Sequence, residues 1–319
     1  MSIENNQRYF LLDTDIGSDI NDAMALLLCL KLDNIPLVGI TTVYNIATLR
    51  AKIAKKILLL ANENIPVAIG KDQTIDKRGF TWKTGLEGFG LLTDEEFRKD
   101  PKEMGIIENG VDFMIDLAKK YPGELEIISI GQFTNIAAAI QKDPNFKENI
   151  KKIWSMSAGI TFLDPIPKDF PDPNKSYSAI PSHNIRSDVD AAIIVLESGI
   201  DITFIGNDVS TKVVFYKNDI EKLRNYTTDL NKAIIDMMDI WLTYRSRRVD
   251  KEIDFTCLHD ALVIAEAIGM QFTERIPIKM KIEESGATLI NYDENSPYEI
   301  AWKVDAESFM NWYLKKLIN

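Results

Sequence analysis

Along most of the chain, short apolar runs bounded by turn residues alternate with longer stretches whose apolar positions recur at helical spacing. Residues 9–12 read as a buried strand, closed by Asp13, Thr14, Asp15, Ile16, Gly17 and Ser18, which are turn and ligand residue types. From Asp22 the run DAMALLLCLKL is apolar almost all round and predicts a helix. Residues 35–42, β-branched and bounded by Pro36, predict the next strand. The alternation continues with helices at 47–62, 111–120, 135–141 and 188–197, and with strands at 66–69, 125–130, 153–156 and 202–205. Residues 218–248 read as one or two polar-faced helices. Strands at 276–282, 287–291 and 298–304 and a helix at 306–318 close the chain.

This order predicts an α/β fold, a single open, mainly parallel β-sheet flanked by helices, with residues 1–319 as one domain. Two long loops interrupt it. Residues 72–94 carry Gly79, Gly85, Gly88 and Gly90 with Trp82 and Phe89. Residues 162–182 carry Pro165, Pro167, Pro171, Pro173 and Pro181. Loops of that length are usually functional, and in open parallel sheets ligands sit beyond the carboxyl ends of the strands.

Composition narrows the function. With 45% hydrophobic and 27% charged residues the chain is globular in type, and a net charge of -11 repels phosphate backbones and anionic lipid. Nucleic acid and membrane are therefore not expected partners. No apolar run reaches the roughly 18 residues of a membrane span and no secretory leader is legible, so a cytoplasmic location is expected. Cys29 and Cys257 lack metal or redox spacing and read as small buried hydrophobes.

The segment 13–22 packs Asp13, Asp15, Asp19 and Asp22 together with Asn21, immediately after an apolar strand. Such crowding is costly unless a positive charge sits there, and a divalent cation removes the penalty. Helix capping by Asp19 or Asn21 is the simpler alternative, although it accounts for one or two of these residues and not the set.

The DTDIGSDINDA segment after the first strand resembles the N-terminal signature of the calcium-dependent nucleoside hydrolases, the inosine-uridine-preferring N-ribosylhydrolases. GITTVYNIATL at 39–49, IGQFTNIA at 130–137, HNIRSD at 183–188 and LHDA at 258–261 resemble further motifs of that family in the same order, between about residues 9 and 268. The resemblance implies hydrolysis of a ribonucleoside to ribose and free base within nucleoside salvage, by a water held on Ca²⁺. It also implies a homodimer or homotetramer. Carried over by position, Asp15, Asp22 and Asp260 would give carboxylate ligands and Ile130 a backbone carbonyl, a hard-oxygen set that suits calcium. Asp13 would stand behind them or simply be a strand-end partner. Asn184 would contact the ribose, with Met156 beneath it or filling core, and Asn174 a further contact from the long loop. His259 would assist departure of the base, His183 could face the pocket, and Tyr244 and Trp241 would wall the base or pack in the core.

Three departures bear on activity. Asn21 stands where the family has the Asp taken as general base, and an amide cannot accept the proton of water at neutral pH. Asp19 is the replacement within reach in sequence. Ser182 and Ile46 make the sugar end less polar, and Thr84 and Leu86 replace a His of the family's Gly-rich segment. The alternative to a hydrolase is thus a catalytically impaired, metal-dependent binder of nucleoside or ribose. A phosphatase of the haloacid dehalogenase type, which shares a DxD loop after a strand, is disfavoured by Gly17 and by the later motifs.

Overall fold

The computed structural model describes residues 7–33, 35–76, 81–161, 166–168, 170–226 and 228–318. Its strands are β1 (Tyr9–Thr14), β2 (Leu37–Thr42), β3 (Val67–Ile69), β4 (Leu125–Ser129), β5 (Ile150–Ser155), β6 (Ser176–Ala179), β7 (Ile202–Phe204), β8 (Val214–Tyr216), β9 (Phe255–Cys257), β10 (Thr273–Ile282), β11 (Thr288–Tyr292) and β12 (Tyr298–Val304). One sheet has the order β3-β2-β1-β4-β5-β7-β12-β10-β11-β6. It is parallel from β3 to β12 and antiparallel over β10, β11 and β6. The expected open, mainly parallel sheet is present.

Parallel strands covered on both faces must be apolar on both. In β1, Phe10 and Leu12 enter one core with Met24, Leu26, Ile53, Met238 and Leu262, while Leu11 enters the other with Met114, Ile136 and Val195. The helix Asn21–Lys31 packs against the helices His259–Ala267 and Ala306–Ile318. Buried from Asn21 to Cys29, it has no solvent face to mark with polar residues, hence its unbroken apolar run.

The structure corrects several expectations. β1 runs on to Thr14, so Asp13 and Thr14 belong to the strand and the loop begins at Asp15. Residues 176–179, expected within a long loop, form edge strand β6 paired with β11; its alternation is carried by Tyr177 and Ala179 inward and two serines outward, a weak strand signal. Phe162, Pro165 and Gly79 of the expected loops lie outside the described residues. The region 218–248 resolves into two helices, Lys217–Arg224 and Asp229–Val249. The antiparallel pair β8 and β9 was not expected. Among the described residues no helix is long and apolar enough to cross a membrane.

Glu126 of β4 lies inside this sheet, 2% exposed. Arg8 donates to both its oxygens at 2.7 and 2.6 Å and the Trp154 indole at 2.7 Å. Burial alone would raise its pKa, yet these bonds and the nearby charges of Arg8 and Lys151 hold it below the ordinary value. A depressed folded pKa adds stability above the unfolded carboxylate range, near pH 4.3, and that stability is lost as pH falls through the lower folded value. Glu126→Gln should therefore cost roughly 1–3 kcal/mol at neutral pH. Urea unfolding between pH 7 and pH 3 should show the gap from the wild type closing in acid, and a gap independent of pH would contradict this role.

Candidate active site

β1, β4 and β5 end side by side, and the residues just beyond them open a cavity of about 440 Å³, a volume suited to a small molecule. Asp15, Asp19, Asn21 and Asp22 line it from the loop after β1, Ile130 follows β4, and Met156 follows β5. His183 and Asn184 come from the short helix His183–Ser187, and His259 and Asp260 from the start of the helix His259–Ala267. Four of the five dispersed sequence motifs thus meet at one place, joined by Met156, while no residue of 39–49 lines the cavity. Asn174 does not join them: it is exposed, and its backbone N–H and carboxamide both turn to Asp172. Tyr244 lies behind Trp241, stacked on it at 5.8 Å, in a narrow adjoining cleft shared with Thr84 and Leu86. Ile46 faces a different cleft, beside Thr48 and Phe97.

The carboxylate loop is held from beneath by a residue that sequence reasoning missed. Arg50, in the first turn of the helix Ala47–Leu60, is fully buried. Its Nη1 donates to the carbonyls of Asp15 and, at 3.0 Å, of Ile16. Nε donates to the Tyr44 carbonyl at 2.9 Å, and Nη2 to Ser18 Oγ at 3.1 Å. Ser18 in turn donates to Glu87 at 3.0 Å, and Glu87 accepts from the Thr84 and Gly85 N–H groups at 2.7 and 2.9 Å. The Gly-rich loop is knotted to the acidic one in this way. Gly17 has φ +116°, and a Cβ there would stand 2.5 Å from Ile53 Cδ1, so only glycine fits the turn.

The guanidinium spends its donors on carbonyls and a hydroxyl, leaving the carboxylates to each other. Burial, then the charges of Asp15 and Asp19, pushes the pKa of Asp22 well above the ordinary range, although Thr14 Oγ1 donates to it. Asp260 is raised likewise by burial and by Asp22, Asp19 and Asp15. Burial lifts Asp19 to about 6 against the Asn21 N–H, which donates to its Oδ1 at 2.8 Å. That bond gives Asp19 a helix-start role as well. Asp15 receives Gln132 Nε2 at 3.0 Å. Asp13 is fully buried and does not line the cavity; it accepts from Thr41 at 2.6 Å and Asn135 at 2.7 Å, and burial raises it to about 7.

Whether these groups suit a metal is a question of donor chemistry. Among the described residues no set of three or more His, Cys, Asp or Glu side chains is gathered as a ready-made cage. Asp15, Asp22 and Asp260, the expected carboxylate ligands, all line the one cavity. The set still fits a hard cation: carboxylates share one water-accessible space and raise each other's pKa, and Asn21 Oδ1 is buried with no hydrogen-bond partner among the described residues. The Ile130 carbonyl faces Asn184, whose Nδ2 donates to it at 2.8 Å and to the Met156 carbonyl at 2.9 Å. Asn184 thereby ties the ends of β4 and β5 together.

Above this floor the walls are aromatic. Trp82 meets His183 edge-on at 5.6 Å and Trp241 at 6.3 Å, making a slot that the sequence indicated through His183 and Trp241 but not through Trp82. His259 Nδ1 pairs with Ser210 Oγ at 2.8 Å. Burial and the charge of Arg245 lower its pKa to about 4, so at neutral pH it is a neutral hydrogen-bonding ring rather than an imidazolium. Burial lowers His183 as well, against the pull of Asp15. Cys257, expected in the core, is half-buried on the cavity wall.

The chain is similar to known proteins. The family described as inosine-uridine preferring nucleoside hydrolase matches residues 10–311. A probable uridine nucleosidase of Oryza sativa subsp. japonica is 26% identical, over 97% of this chain and 95% of its own length. An inosine-uridine preferring nucleoside hydrolase of Crithidia fasciculata is also 26% identical, over 96% of both. Among solved structures, a purine-preferring ribonucleoside hydrolase from Gardnerella vaginalis superposes with a TM-score of 0.79 at 26% identity, covering 98% of each chain.

Replacing Arg50 by Met keeps its bulk but strands buried carbonyls, and should cost roughly 3–5 kcal/mol. Arg50→Lys should recover little of it, because an ammonium lacks the planar fork that spans these acceptors. Urea unfolding of both variants checks this, and a loss below about 1 kcal/mol, the ordinary worth of one neutral hydrogen bond, would contradict it.

Proposed function

The chain belongs to the inosine-uridine preferring nucleoside hydrolase family, and from that premise we propose that it cleaves the N-glycosidic bond of a ribonucleoside with water, aided by Ca²⁺. One observation carries the reading: Asp15, Asp19, Asp22 and Asp260 share a cavity with Asn184, Met156 and an indole pair. Asp15, Asp22, Asp260 and the Ile130 carbonyl would hold the ion. When bound, it supplies positive charge to the sugar hydroxyls and to the attacking water.

The protein's own groups do the rest. Asn184 and Met156 form the bed on which the ribose lies, and Trp82 and Trp241 flank the planar base. Asp19 takes a proton from water as its oxygen bonds to the anomeric carbon, through a transition state of oxocarbenium character. The C–N bond pair leaves with the base, and the nitrogen gains a proton from solvent, with the neutral His259 ring as a hydrogen-bond partner. Asn21 positions Asp19 through its N–H and accepts no proton.

A second reading, a binder without turnover, is favoured by one feature, the amide of Asn21 beside the carboxylates. Release of free ribose from a panel of purine and pyrimidine nucleosides, with calcium and with a chelator, separates the two. Calcium-dependent release is expected, and Asp19→Asn should lower kcat by about 10²–10⁴. Release that appears only in Asn21→Asp would identify the binder. An Asp19→Asn variant as fast as the wild type would remove Asp19 from the mechanism.

A further inference from the structure

The same cavity has a second electrostatic pole. Arg245 and Arg248, one turn apart on the helix Asp229–Val249, line the cavity that the acids line, as does Arg186. In a chain with 48 acidic side chains, neither Arg245 nor Arg248 forms an ion pair among the described residues. Arg245 is nevertheless fixed. Nη1 donates to the Phe255 carbonyl at 2.9 Å, and the guanidinium lies 5.8 Å from the Trp241 ring and 5.3 Å from the Phe255 ring. Arg248 is exposed and reaches only the Tyr244 hydroxyl, at 3.4 Å. A cation near a helix C-terminus complements the helix dipole. That explains Arg248, on the last turn, but not Arg245, a turn earlier, which lines the cavity and is braced between two aromatic rings.

Resting on the hydrolytic reading above, we infer that Arg245 and Arg248 select an N-ribosyl substrate that carries an anionic oxygen group, a carboxylate on the base or a phosphate on the ribose. A guanidinium fork matches either group with two parallel hydrogen bonds, and a braced Arg loses little side-chain freedom in making them. The floor then holds the sugar and the rim holds the charge, so a neutral nucleoside leaves the rim cations without a partner.

The test compares uridine, uridine 5′-monophosphate and uridine bearing a ring carboxylate, in kcat/KM by ribose or ribose phosphate release and in affinity by calorimetry. At least one anionic compound should exceed uridine by about tenfold or more, a preference that shrinks with added salt. Which of the two it is assigns the phosphate or the base as the recognised end. Arg245→Gln should collapse the ratio of anionic to neutral substrate by about tenfold, and Arg248→Gln, at an exposed position, should lower it less. A packing role for Arg245 would not move that ratio, and Arg248→Gln with the salt series decides the matter if Arg245→Gln does not fold. No ribose release from any compound, with the anionic preference kept in binding, would refute hydrolysis and support the rim. Hydrolysis or binding of uridine equal to or better than both anionic compounds, or a ratio unmoved by either substitution, would overturn the rim and leave hydrolysis standing.

Discussion

Arg50 is buried beneath a loop that carries Asp15, Asp19 and Asp22, and it bonds to the loop's carbonyls and hydroxyl rather than to its carboxylates. That division of labour sets the character of the site. A guanidinium paired to the acids would neutralise them and leave a structural knot. Spent on the backbone, it fixes the path of the chain while the acids stay crowded, with Asp22 and Asp260 raised by burial and by their neighbours. Burial and crowding make the charged form of these acids costly, and the Arg50 charge offsets that only in part, through space.

The fold makes that possible by bringing strand ends together. β1 and β4 are neighbours, as are β4 and β5, and each is followed at once by a residue that lines the cavity: Asp15, Ile130 and Met156. Asn184 bridges the carbonyls of Ile130 and Met156, so the two strand ends cannot spread without losing both bonds. Glu87 ties the Gly-rich loop to Ser18 and hence to Arg50. The indole of Trp82 is brought over the cavity by the same loop, its N–H backbone donor meeting the Tyr44 hydroxyl at 2.8 Å. Acidic loop and aromatic slot are thus linked through a few buried polar contacts.

Much of this was legible in the sequence, for stated physical reasons. The alternation of apolar runs gave the parallel sheet, because strands buried on both faces cannot hide their composition. Crowded carboxylates after β1 pointed to the cavity, because hydrogen bonds within the fold account for Asp13 and Asp19 but not for the set. Edge strand β6 was hidden because two of its four residues are serines and its partner β11 is distant in sequence. Arg50 was hidden because one arginine in a helix with three lysines looks solvated, and only the tertiary position shows it fully buried. Asn174 was placed near the sugar by offset within a loop whose path no pattern fixes. Arg245 and Arg248 were hidden within residues 218–248, read only as polar-faced helices, since which face of a helix looks into a cavity depends on how the helix docks.

On this account the acids around the cavity hold one hard cation among them. Titration of calcium into the metal-stripped protein, followed by calorimetry for the wild type and for Asp260→Asn, tests it directly. One calcium per chain in the wild type and greatly weakened binding in Asp260→Asn is the expected result. No calcium binding, or binding that Asp260→Asn leaves intact, would contradict it.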